Sequence, residues 1–203
     1  MTVICVFGES TTWGAWDKEK GGWVNRLQLS LASKMNYELE IYNLGISGGT
    51  TVDLLKRFEL ETKARQPEII IISTGGNDAA FNKKSNSNNV SVEDFEKNVK
   101  KIINIAKRFT KSIVLLGLRD IDEKLTTPVS WDKQIFYKNQ DMKKYGTVIK
   151  KVAKDENIFY IEQYGLLNSQ ELDDGIHPNA KGHVKIAKRV EDFLIKNKIL
   201  KLK

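Results

Sequence analysis

Four short segments carry the residue types that acyl transfer needs: Gly8-Glu9-Ser10, Ser47-Gly48, Gly76-Asn77-Asp78 and Asp174-Gly175-Ile176-His177-Pro178. A serine hydroxyl is a poor nucleophile at neutral pH. It needs a base within hydrogen-bond reach and a third group that holds the base in the right tautomer. The chain has two histidines. His183 falls a turn or more into the last helical pattern, where an exposed or packed histidine is the ordinary outcome. His177 falls in a loop just before that helix. His177 is therefore the candidate base, Ser10 the nucleophile, and Asp174, one tight turn earlier across Gly175, the orienter. A tetrahedral intermediate puts negative charge on the former carbonyl oxygen, so donors must converge on one point near the serine. The Ser10 N–H, the Gly48 N–H and the Asn77 side-chain amide are the candidate donors.

Each segment has an ordinary alternative when taken alone. Asp174-Gly175 reads as a β-turn and His177-Pro178 as a helix entry. Ser10 reads as a helix cap, and Asn77 as a left-handed turn residue. The loop Gly45-Ile46-Ser47-Gly48-Gly49-Thr50 could cradle phosphate, but it lacks the lysine of a P-loop, and the spacing G-x-G-x-x-G does not occur. The conjunction of all four segments, in chain order, favours a serine esterase.

The elements that must position these residues alternate. Short β-rich apolar runs at Val3–Phe7, Leu39–Leu44, Glu68–Ser73, Ser112–Leu118 and Ile158–Ile161 read as five strands. Helical patterns lie between them: Trp23-Leu27-Leu31 on one face, then Val52–Ala64, Val92–Phe109, Gln134–Lys154 and Ala180–Ile195. Alternation of this kind implies parallel pairing with right-handed crossovers. The unbroken run Ile69-Ile70-Ile71-Ile72 suits a strand covered on both faces. A three-layer α/β/α sandwich follows, as a single domain over residues 1–203, with every candidate segment just past a strand, where open α/β sheets form their sites. Ser91 with Asp94 resembles a capping box, and Pro178 suits the first turn of the last helix. The polar, aperiodic stretch Asn82–Asn89 reads as a mobile loop.

On these residues the chain resembles the SGNH hydrolases, also called GDSL esterases and lipases. The four residues of that name fall on Ser10, Gly48, Asn77 and His177; the fifth block, Asp-x-x-His, carries Asp174, and Thr12 and Gly14 fit the first block. The resemblance runs from the first strand to the last helix. It implies a flavodoxin-like sheet of five parallel strands in the order 2-1-3-4-5, and it implies no cofactor and no metal. One position departs: the family's usual Gly-Asp-Ser is Gly8-Glu9-Ser10 here, which bears on the hydrogen bonds that set the serine turn. The nucleophile elbow G-x-S-x-G of ordinary α/β-hydrolases is absent, since Thr12 occupies its second glycine position.

Composition narrows the remaining classes. The net charge of +7 is mostly lysine on polar helix faces, without the interleaved aromatics or reading motifs of a nucleic-acid binder. No apolar run approaches the ~18 residues of a membrane span. The lone Cys5 sits in an apolar strand and reads as a packing residue. With no leader pattern ahead of it, the expected location is the cytoplasm. The expected partner is a small acyl ester, with small acetyl esters of carbohydrates one candidate among lipids, thioesters and aryl esters. Trp13 and Trp16, beside Trp23, and the insertion Leu118–Phe136 with Trp131 are candidates for the pocket wall, while Trp13 and Trp23 could equally anchor the core. Two rival functions remain: an inactive carbohydrate- or lipid-binding module that keeps the fold and cleft, and a binder of nucleic acid or anionic surfaces that uses the basic surface instead.

Overall fold

The computed structural model describes residues 1–202. Five strands, β1 (Thr2–Gly8), β2 (Leu39–Gly45), β3 (Ile69–Ser73), β4 (Ser112–Leu116) and β5 (Phe159–Ile161), pair in parallel in the order β2-β1-β3-β4-β5. Five longer helices connect and follow them: α1 (Trp23–Ala32), α2 (Thr51–Arg65), α3 (Val92–Ala106), α4 (Asn139–Asp155) and α5 (Ala180–Lys196). The order is the one the family resemblance implies.

The apolar strands are buried on both faces because successive side chains point to opposite sides. Cys5, Phe7, Ile70 and Ile72 enter a core shared with Leu54 and Phe58 of α2, Phe95 and Ile102 of α3, and Tyr145 and Ile149 of α4. Ile4, Val6, Ile69 and Ile71 enter a second core with Trp23, Leu27 and Leu31 of α1 and Ile186, Val190 and Leu194 of α5. Trp23 is fully buried and anchors that second layer, whereas Trp13 is 55% exposed.

Register brings the candidate segments together. Gly8 at the end of β1 lies opposite Gly45 of β2 and Ser73 of β3. The chain therefore leaves three adjacent strands at one level, toward Ser10, Ser47-Gly48 and Gly75-Gly76-Asn77. The fourth segment arrives from the loop between β5 and α5.

Several boundaries differ from the sequence reading. The stretch Asn82–Asn89 is not an irregular loop throughout: Phe81–Asn82 and Ser87–Asn88 form a small antiparallel hairpin, and Ile135–Phe136 adds a third strand. Tertiary pairing with the distant insertion supplies the order that local periodicity did not show. That pairing also delays α4, which begins at Asn139 rather than Gln134. Pro178 lies outside α5, in a β-bridge with Leu172, and Asn179 caps the helix by accepting N–H bonds from Lys181 and Gly182. The Ser91 cap of α3 is present, its hydroxyl accepting from the Asp94 N–H.

Candidate active site

Ser10 opens a single helical turn, Ser10–Trp13, directly after β1. Its N–H is one of the donors such a start leaves without an intrahelical partner. His177 Nε2 lies 2.8 Å from Ser10 Oγ, and His177 Nδ1 lies 2.7 Å from Asp174 Oδ2. The close Asp-x-x-His spacing has a local cause. Asp174 Oδ1 accepts the N–H groups of Ile176 and His177, at 3.2 and 2.8 Å, which folds the carboxylate back toward the imidazole. Gly175 at the turn has φ +91°, and a side chain there would also strike Leu125 and Thr126.

A fourth group touches this line: Trp16 donates its indole N–H to Asp174 Oδ2 at 2.9 Å. Burial pushes the Asp174 carboxyl up, but hydrogen bonds from the His177 ring and backbone and from Trp16 outweigh it and hold Asp174 well below the usual carboxylate range. Asp174 is thus an anion facing the imidazole, as an orienter must be. Trp16 and Trp131 flank the His177 ring, with centroids at 5.9 and 5.7 Å.

The loops that carry the other two candidate donors are tied to their neighbours by two carboxylates, half-buried Glu9 and buried Asp78. Glu9 Oε1 accepts the Gly75 N–H at 2.7 Å and the Thr74 hydroxyl at 3.1 Å, so its longer side chain bridges the serine turn to the Asn77 turn. Burial first, and the Asp78 charge second, push Glu9 up to about 7 against those hydrogen bonds. Asp78 is fully buried and accepts the Thr51 N–H at 3.1 Å, which links the Asn77 turn to the start of α2, just past the glycine-rich loop. Burial pushes Asp78 up to about 6 against its bonds from Thr51. Asn77 donates from Nδ2 to the Gly49 carbonyl at 3.0 Å. Gly48 lines the same cleft as Asn77, with φ +76° and open space where a side chain would stand.

A cleft of about 270 Å³ opens over Ser10 and His177, walled by Trp13, Trp16, Gly48, Trp131 and Tyr137. The structure therefore gathers Ser10, Gly48, Asn77, Asp174, His177, Trp13, Trp16 and Trp131 around one opening. A larger surface groove of about 590 Å³ between α1 and α5 has no such chemistry. Three of the four cations that line it, Arg26, Lys34 and Lys188, are engaged by Asp17, Glu191 and Asp192. Among the described residues, no cluster of three or more His, Cys, Asp or Glu side chains is placed to hold a metal ion. Among them, too, no helix is long and apolar enough to cross a membrane.

Sequence reasoning missed two residues. Arg119, past the end of β4, donates to Thr11 Oγ1 at 2.5 Å and to the Ile176 carbonyl at 3.3 Å, joining the serine turn to the histidine loop. Burial lowers its guanidinium to about 10, partly offset by the charges of Glu9 and Asp174. Tyr137 donates its hydroxyl to Asn77 Oδ1 at 2.7 Å. Both follow strand or insertion segments without a motif of their own; the only signal was their position at the C-terminal edge of the sheet.

A hydroxyl, an imidazole and a carboxylate in line, beside a glycine loop and an asparagine at the C-terminal edge of a parallel sheet, define the serine ester hydrolase class. The chain belongs to the GDSL-like lipase/acylhydrolase family, whose model matches residues 6–185. It is 24% identical over 164 residues to an acetylxylan esterase of Geobacillus stearothermophilus, covering 74% of this chain and 69% of that protein. It is 24% identical over 176 residues to the esterase TesA of Pseudomonas aeruginosa, covering 87% and 79%. The crystal structure of Axe2, an acetylxylan esterase from Geobacillus stearothermophilus, superposes with a TM-score of 0.73 at 22% identity, covering 95% of this chain and 92% of that one.

Proposed function

We propose that this enzyme hydrolyses small acyl esters, in particular acetyl esters of carbohydrates, through a Ser10–His177–Asp174 triad. The observation that carries this reading is the unbroken hydrogen-bonded line from Ser10 Oγ through both imidazole nitrogens to the ionised Asp174. His177 takes the Ser10 proton as the hydroxyl attacks the ester carbon. The oxyanion then accepts from the Ser10 N–H, the Gly48 N–H and the Asn77 amide. His177 returns the proton to the leaving alcohol, which leaves an acyl-enzyme. Water, deprotonated by His177, attacks that ester in the same donor pocket; His177 then passes the proton to the departing Ser10 oxygen, which releases the carboxylic acid and restores the hydroxyl.

Support for a short acyl group and a sugar alcohol comes from the walls. A cleft of about 270 Å³ is small. Its rim carries Trp13, Trp16 and Trp131, which are 55, 47 and 53% exposed. Exposed indoles beside a reacting centre offer flat apolar platforms of the kind a sugar ring stacks on. Relatives named acetylxylan esterase point the same way. The test is a rate series on aryl esters from acetate to octanoate, with acetate release from acetylated xylo-oligosaccharides measured alongside. Acetyl esters should lead the series and the acetylated saccharide should release acetate, with Ser10→Ala inactive on both. Preference for octanoyl esters, with no acetate released from the saccharide, would reject the substrate assignment. For location, the lone buried Cys5 supports a reducing compartment such as the cytoplasm.

A further inference from the structure

We propose that Tyr137 is a positioning residue for catalysis, which acts by locking the Asn77 amide in the orientation that presents its N–H groups to the oxyanion; this rests on the esterase reading above. An asparagine side chain is nearly symmetric in shape, and a 180° flip would turn the carbonyl oxygen, an acceptor, to where a donor stands. In the flipped state Asn77 would set a lone pair against the developing negative charge, so a free amide is a poor oxyanion donor.

Two neighbours remove that freedom. The Gly49 carbonyl can only accept, and it takes one Nδ2 hydrogen at 3.0 Å. The Tyr137 hydroxyl stands 2.7 Å from Oδ1 and must donate to it. The Gly49 carbonyl decides which end of the amide faces it, and the Tyr137 hydroxyl holds the amide there by donating to the other end. One Nδ2 hydrogen is then left for the cleft that Asn77 lines. The chain of bonds also has electronic sense: donation into Oδ1 draws electron density from the amide nitrogen and strengthens the remaining N–H as a donor.

The Tyr137 phenol is suited to this task. The side chain is buried, 7% exposed, and burial pushes its hydroxyl further up from its ordinary value, so it remains a neutral donor. Its backbone is held too: the Tyr137 N–H donates to the Thr126 carbonyl at 2.9 Å, and the Tyr137 carbonyl accepts from the Thr126 hydroxyl at 2.9 Å. The preceding Ile135–Phe136 strand pairs with Phe81–Asn82, which follows the Asn77 turn. Asn89 closes the frame by donating to the Asn77 carbonyl at 2.9 Å. The long insertion after β4 thus has a second use beyond walling the cleft, because it carries the chain to Tyr137, the residue that follows it and bonds Asn77.

The test is a double-mutant cycle on Tyr137→Phe and Asn77→Ala with an aryl acetate as substrate, with melting temperatures measured alongside. Phenylalanine keeps the ring and removes the one hydroxyl. Tyr137→Phe should lower kcat about tenfold, the rate equivalent of one hydrogen bond, with KM within about twofold and an unchanged fold. In the Asn77→Ala background the same substitution should change kcat by less than about twofold, since the group it positions is gone. An undiminished kcat in Tyr137→Phe, or an equal loss in both backgrounds, would overturn the assignment while leaving the esterase reading intact. A wild type that turns over no ester would reject both.

Discussion

His177 and His183 stand on either side of the Asn179 cap, and the structure gives them opposite surroundings. His177 leaves one ring nitrogen to a hydroxyl in an open cleft and the other to a carboxylate. His183 is fully buried; its Nδ1 accepts the Trp23 N–H at 3.0 Å and its Nε2–H donates to the Ala15 carbonyl at 2.9 Å. Burial lowers its pKa to about 4, so it is neutral at pH 7 and caps the first turn of α1. The difference teaches that imidazole chemistry here is assigned by partners. One ring faces groups that can exchange a proton with it, and the other faces backbone that cannot.

The largest effect should separate the two histidines outright. His177→Ala should reduce kcat by about 10⁴- to 10⁶-fold, as should Ser10→Ala, each with an almost unchanged melting temperature. Steady-state turnover of an aryl acetate with parallel thermal denaturation reads both quantities. If His183→Leu abolished turnover and His177→Ala did not, the assignment of the two rings would be reversed. Next, Asn77→Ala should lower kcat by about 10²- to 10³-fold with KM little moved, the loss seen when one oxyanion donor is removed.

His183→Leu should act on stability instead. It leaves the Trp23 N–H and the Ala15 carbonyl unpaired in the core, at a cost of about 1–3 kcal/mol each, so the melting temperature should fall by several degrees while Ser10 chemistry per folded molecule persists. Its pH signature is distinctive. A histidine at about 4 in the fold and ~6.5 unfolded binds fewer protons when folded, so stability is lost as pH falls from about 6.5 through 4, by about 3 kcal/mol at most. His183→Leu should flatten that part of the melting curve.

Glu9 supplies the opposite slope. Its carboxyl, raised to about 7 from 4.5, binds more protons in the folded state, so its contribution to stability declines as pH rises through that window. Glu9→Gln should therefore gain in melting temperature over the wild type as pH rises from 5 to 8. Activity should stay within a few-fold, because the amide oxygen can still accept from the Gly75 N–H. A constant offset between the two melting profiles would contradict the buried-carboxylate account.

Much of this layout is legible from residue order. Continuous runs such as Ile69–Ile72 signal strands buried on both faces, and the segment Asp174-Gly175-Ile176-His177 encodes its own turn because the carboxylate bonds backbone only two and three residues ahead. Local patterns cannot report what distant segments do to each other. The hairpin at Phe81–Asn88 is ordered by Ile135–Phe136, far along the chain. Trp13 and Trp23 are the same residue type, and only the packing of α1 decides that one is core and the other rim. Tyr137 and Arg119 belong to no motif, and their roles exist only once four loops meet.

The central claim is that His177 activates Ser10. It is tested most directly by incubating the wild type, Ser10→Ala and His177→Ala with a fluorophosphonate probe and locating the adduct by intact mass and peptide mapping. Stoichiometric labelling of the wild type at Ser10, absent in Ser10→Ala and lost or greatly slowed in His177→Ala, is the predicted result. A folded wild type that stays unlabelled, or one labelled equally well without His177, would contradict it.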